Sequence, residues 1–85
     1  MRFLESIINM KLNNIRRDEL LGLARQYGIP LTPAEAESIC QELRGQNYDL
    51  FNPEQRKGVI KRLELIVGSQ RASQIEQLFL SLTGR

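Results

Sequence analysis

Few residues in this 85-residue chain have types and spacing suited to chemistry. Histidine, the commonest general acid/base and metal ligand, is absent, and Cys40 is the only thiol. A reactive thiolate needs exposure and a nearby cation, and Arg44, four residues on, is the one local candidate. Cys40 lies beside Ile39 and Leu43 at helical spacing, however, and a cysteine in such company acts as a small inert hydrophobe. Three carboxylates, Glu35, Glu37 and Glu42, share the same stretch, but no Asp-x-Asp-x-Asp-Gly loop accompanies them. They read as the solvated side of a helix. Neither a Gly-x-Gly-x-x-Gly nor a P-loop spacing occurs. No catalytic, cofactor-binding or metal-ligating residue is assigned, and the pattern points away from an enzyme.

Charge is distributed unevenly around a net +2. Residues 1–28 carry five cations against three anions, 29–52 one against four, and 53–85 six against three. The basic density falls on Arg56, Lys57, Lys61 and Arg62, the candidate phosphate contacts. At helical spacing Lys57 and Lys61 share one flank and Arg62 takes the other. No aromatic residue interleaves them, so a base-stacking platform is missing. A solvated face is the plainer reading, with weak nucleic-acid binding as the alternative.

The elements that must position these residues are all helical. The clearest lies between Gly28 and Gly45. Thr32 is an N-cap, Pro33 suits the first helical position, and Glu35 completes a Thr-x-x-Glu capping box. Arg44 stands where the helix dipole favours a cation, Gly45 can take the left-handed cap, and Ala36, Ile39, Cys40 and Leu43 form the apolar stripe. An opening helix carries Phe3, Leu4, Ile7, Ile8, Met10 and Leu12 and ends at Asn13-Asn14, with Ile15 stapling the turn. A second spans about Arg17 to Tyr27, with Leu20, Leu23, Ala24 and Tyr27 as its stripe. A fourth begins at Asn52-Pro53-Glu54-Gln55, a repeat of the same start signal, and continues through Val59, Ile60, Leu63, Ile66 and Val67 to Gly68. Ser69 caps a fifth with Ala72, Ile75, Leu78, Phe79 and Leu82. No strand-like alternation appears. The expectation is an all-α fold, a compact bundle of about five short helices around a single core, in one domain over 1–85.

The run Asp18-Glu-Leu-Leu, Ala24, Gln26-Tyr27-Gly28-Ile29, Thr32, Ala36, Leu43-Arg44-Gly45, Asn47, Phe51-Asn52 and the closing Leu78-Phe79-Leu80 resembles the YqfT-like family of small proteins from Bacillus and its relatives. The resemblance covers nearly the whole chain. Its motifs are caps and core positions, so it implies a fold and no chemistry; the family has no assigned function and carries over no site residues. One departure is Arg16-Arg17, where the family pattern leads one to expect a Thr-Pro or Ser-Pro cap. That leaves open where the second helix begins.

Ala24-x-x-x-Gly28-Ile29 is also reminiscent of a helix-turn-helix turn or a SAP-like unit. Against both, the next helix's apolar positions arrive about two residues late, and its glutamates would repel phosphates. Protein association is the leading expectation. The first helix is apolar around more than half its girth, so its surplus either fits one small core or packs on a second subunit or another protein. Phe3, Leu4, Ile8 and Leu12, with Leu65 and Leu80 on the polar sides of the last two helices, are the candidate partner contacts, and a homodimer through the first helix is the specific form. Tyr48 is a candidate exposed aromatic, although covering the core beside Phe51 suits it better. A lone cysteine fits a reducing compartment, and the N-terminal apolar run is too broken for a signal sequence and too short to span a bilayer. A soluble cytoplasmic protein that makes no use of a membrane is expected.

Overall fold

The start and stop signals produce five helices. In the computed structural model, backbone is described for residues 2–83 and side chains for residues 5–82. The helices are α1 (Arg2–Asn13), α2 (Arg17–Gln26), α3 (Pro33–Leu43), α4 (Pro53–Val67) and α5 (Ser69–Thr83). No strand occurs among the described residues. The radius of gyration, 11.7 Å, matches the roughly 12 Å of a folded chain this long.

Local chemistry sets each boundary. Ahead of α3, the Thr32 hydroxyl accepts from Glu35 N–H at 3.1 Å and the Glu35 carboxylate accepts from Thr32 N–H at 3.0 Å, which closes the capping box. At α4, Asn52 Oδ1 accepts from Glu54 N–H and Gln55 N–H, but the Gln55 side chain does not return to the cap. It accepts from Asp49 N–H instead, at 2.9 Å. Arg16 offers no side-chain cap to α2. There Glu19 accepts from Arg16 N–H at 3.1 Å, and buried Ile15 and Leu20 hold the two positions of a hydrophobic staple. The end of α1 is drawn by its asparagines: Asn13 Nδ2 donates to Asn9 O and Asn14 Nδ2 to Met10 O, satisfying last-turn carbonyls.

The Ala24–Ile29 segment is a Schellman motif. Ile29 N–H donates to Ala24 O at 2.7 Å and Gly28 N–H to Arg25 O at 3.2 Å, with Gly28 at φ +73. Ile29 is buried with Ala24, the apolar contact that accompanies such a stop. This accounts for the spacing that resembled a DNA-reading turn. Tyr27 does not belong to the α2 stripe; it leaves the helix as the C-cap residue and is exposed.

One core joins all five helices, from Leu12 and Ile15 through Ile39, Leu43, Leu50 and Leu63 to Leu78 and Phe79. The broadest packing is α4 on α5, followed by α2 on α3 and α3 on α4; α1 rests more lightly on α3 and α5. Gly68 is the single residue between α4 and α5, at φ +88. The cap of α5 therefore falls on Gly68 rather than Ser69, and the Gly68 carbonyl accepts from Ala72 N–H at 3.0 Å.

A Cβ at Gly68 would meet nothing within 4 Å, so the cost of Gly68→Ala is conformational and not steric. The variant should lose about 1–2 kcal/mol, the penalty of forcing an L residue into this region. Urea unfolding reads it as a lower midpoint at unchanged slope.

Candidate functional site

Two surfaces carry the residues singled out by sequence, and the structure treats them differently. The basic stretch of α4 does not form one face. Arg56 keeps only 14% of its side-chain area exposed; Nη1 donates to Leu50 O at 3.0 Å, and Nε faces Glu76 Oε2 at 3.7 Å, too long for a hydrogen bond. It is a brace between α4, α5 and the loop before α4, and it is not available to a phosphate. Arg62 reaches across to α3, with Nη1 3.3 Å from Glu42 Oε2. Lys57 and Lys61 remain exposed, and they line a shallow cleft with Ile60, Glu64 and Glu76. Of the four candidate phosphate contacts, Arg56 is spent inside the fold, Arg62 is paired with Glu42 while staying exposed, and Lys57 and Lys61 stand among carboxylates.

The acidic residues of α3 are not a free solvated face either. Glu35 takes the planar fork of Arg71 from α5, with Nη1 and Nη2 each at 2.7 Å, and Nη1 also donates to Pro30 O at 2.9 Å. Those charged donors, with the Thr32 N–H, hold the Glu35 carboxyl down to about 2. Glu42 meets Arg62, and Glu37 accepts from Gln41 at 3.3 Å. No group of three or more His, Cys, Asp or Glu among the described residues is placed to hold a metal ion. Cys40 is buried, and burial first, then the charge of Glu37, pushes its thiol above the usual range. That is the opposite of what activates a cysteine.

The second surface is the side of α1 that faces away from the bundle. Phe3 and Leu4 lie outside the described side chains. Leu12, expected at a partner, is 1% exposed and belongs to the core, because the turn into Ile15 folds that end of α1 onto α3 and α5. Ile8 is half-buried. Ile7 and Met10, which were not among the expected contacts, are the exposed ones, at 45% and 61%. Met10 borders a cleft with Asn9, Asn13 and Tyr48, whereas Ile7 borders a groove of about 330 Å³ between α1, the turn into α2, the later part of α2 and the end of α5. Its walls are Ile7, Ile8, Leu12, Ile15, Leu23 and Leu82, with Lys11 at the rim bonded to Glu19 at 2.9 Å. Leu65 is exposed at 89%, on α4 and away from this groove, while Leu80 is half-buried. Tyr48 and Phe51 are half-buried, and Tyr48 packs on the core.

Sequence reasoning missed Asn9 and Asn13, which bind the loop between α3 and α4 from the inner side of α1. Their spacing of four was a signal that they share a flank. A family model described as "Protein of unknown function (DUF2624)" matches residues 1–83. The chain belongs to the DUF2624 family. The chain is similar to the "Uncharacterized protein YqfT" of Bacillus subtilis (strain 168), 34% identical over 79 residues, which are 93% of this chain and 94% of the relative. No solved structure matches. Membership in DUF2624 brings no activity with it, so the surfaces themselves carry what can be argued. Among the described residues no helix is long and apolar enough to cross a membrane.

The Glu35–Arg71 pair makes stability depend on acid. Because the folded carboxyl sits near 2 and the unfolded one near 4.5, its contribution is complete above about pH 4.5 and is lost as pH falls toward 2. Thermal melts of the wild type should fall more steeply across that window than those of Glu35→Gln, and Glu35→Gln should be the less stable at pH 7.

Proposed function

We propose that this chain is a non-enzymatic cytosolic association module that pairs with a second copy of itself through the outer side of α1. The observation that carries the reading is the apolar groove with exposed Ile7 in its wall. A large exposed apolar residue set in the wall of an apolar groove forms a patch, where a single exposed leucine such as Leu65 needs no explanation. A two-fold interface requires one patch that presents both projection and recess, and this one does. The rim pair Lys11–Glu19 is charge-balanced, so two copies meet there without net repulsion.

The disposition of the titratable groups also supports the reading. Glu35, Glu42, Arg62 and Arg71 are engaged in bonds between helices, and Cys40 is enclosed. The lone buried thiol suits a reducing compartment. The second reading is weak nucleic-acid binding; exposed Lys57 and Lys61, one turn apart, favour it, and Glu64 and Glu76 beside them oppose it.

Sedimentation of the full chain at micromolar concentrations should show a monomer–dimer equilibrium. Ile7→Glu should weaken it by roughly tenfold or more, the effect of removing an interface anchor, without altering the far-UV spectrum. A monomer at every concentration removes the reading. For the second, retention on heparin at low salt that Lys57→Ala with Lys61→Ala abolishes would support it; no retention ends it.

A further inference from the structure

The loop between α3 and α4 has almost no backbone partners of its own. From Tyr48 to Phe51 every amide N–H is taken by a side chain. Tyr48 N–H donates to Asn13 Oδ1 at 2.9 Å, Asp49 N–H to Gln55 Oε1 at 2.9 Å, Leu50 N–H to Asn9 Oδ1 at 2.9 Å and Phe51 N–H to Asp49 Oδ1 at 3.1 Å. Asn13 Nδ2 returns to Tyr48 O at 2.9 Å, and Asn9 Nδ2 to Asp49 Oδ1 at 3.0 Å. Each asparagine of α1 therefore uses both ends of its amide on the loop, across 35 to 41 residues of chain. Asn13 is the buried polar residue among the described side chains, at 3% exposure.

Among the described residues the apolar grip on α1 is light by comparison. Leu12 is its one fully buried apolar residue among the described side chains, Ile8 is half-buried, and Ile7 and Met10 face outward. Losing α1 would strand the Tyr48 and Leu50 amides, and losing the loop would strand both asparagine amides; each half is costly without the other. Leu50 and Leu12, both buried, are the apolar pins that would be exposed together.

We propose that α1 and residues 47–51 open and close as one unit, a polar latch laid over the bundle of α2 to α5. Opening releases the helix and the loop together and uncovers the core seats of Leu12 and Leu50, while the packing of α4 on α5 and α2 on α3 stays closed. A ligand or partner that grips α1 orders the loop at the same time. The latch stands on the asparagine bonds and holds whether or not α1 meets a second copy.

Amide hydrogen exchange on the full chain, resolved by NMR, tests it. Amides of α1 from Asn9 to Asn13 and those of Tyr48 and Leu50 should share one protection level, below that of Ile39, Leu63 and Leu78. Asn9→Asp sets a second carboxylate against Asp49 and leaves buried Asn13 in place. At pH 7 it should speed exchange at α1, Tyr48 and Leu50 by on the order of tenfold, with α2 to α5 unchanged. Three results overturn the proposal: loop amides as protected as the core, a response confined to Leu50, or faster exchange throughout the chain. Asn13→Ala gives the same reading from the other half of the clasp.

Discussion

The enclosure of α3 is the constraint on which the rest of the bundle depends. Ala36, Ile39, Cys40 and Leu43 are all sealed from solvent, and α1, α2 and α4 pack against the helix that bears them. An 85-residue chain buries only about 60–65% of the surface its unfolded form exposes, so it can spare no central apolar stripe. The polar margins of α3 then become joints rather than free surface. Glu35 at its start is gripped by Arg71 of α5, and Glu42 near its end by Arg62 of α4. Without these, α5 would be tied to α3 through the shared core alone.

The same joints explain why the basic stretch of α4 does not behave as a patch. Helical spacing says which residues share a flank of one helix and nothing about what stands opposite. Arginine's planar fork suits it to carboxylates and carbonyls at a seam, whereas lysine is a compact, strongly hydrated charge. The division follows that chemistry: Arg56 and Arg71 are partly buried on carbonyls and carboxylates, Arg62 pairs with Glu42 at the surface, and Lys57 and Lys61 face water. A run of four cations that looks uniform in sequence thus separates by residue type.

What the sequence made legible was local. The Thr32 box, the Asn52 cap, the glycine stops and the stripes of α3, α4 and α5 each rest on residues within about five positions of one another, and each stands where expected. Most of the contacts that escaped join residues twenty or more positions apart. Gln55 looked like the second half of a capping box and instead serves the loop before it; Leu12 looked like surplus and is core; Asn9 carried no signal of its own and reads the backbone of Leu50. A long-range bond between a polar side chain and a loop amide leaves no periodicity behind it, because its partner is the backbone, which every residue shares.

These two kinds of contact meet in α1. A helix held down by burial must turn its apolar stripe inward, but hydrogen bonds can hold a helix with much less apolar area. Asn9 and Asn13 fasten one flank of α1 by four bonds to the loop. That leaves Ile7 on the far side, in the wall of the apolar groove, where it stays exposed without loosening the fold. Replacing the asparagines by leucines would exchange directional bonds for grease, and nothing would then choose between the inner and outer faces of so apolar a helix. On this reasoning the polar clasp sets the orientation of α1, and that orientation is what places apolar side chains beside the groove.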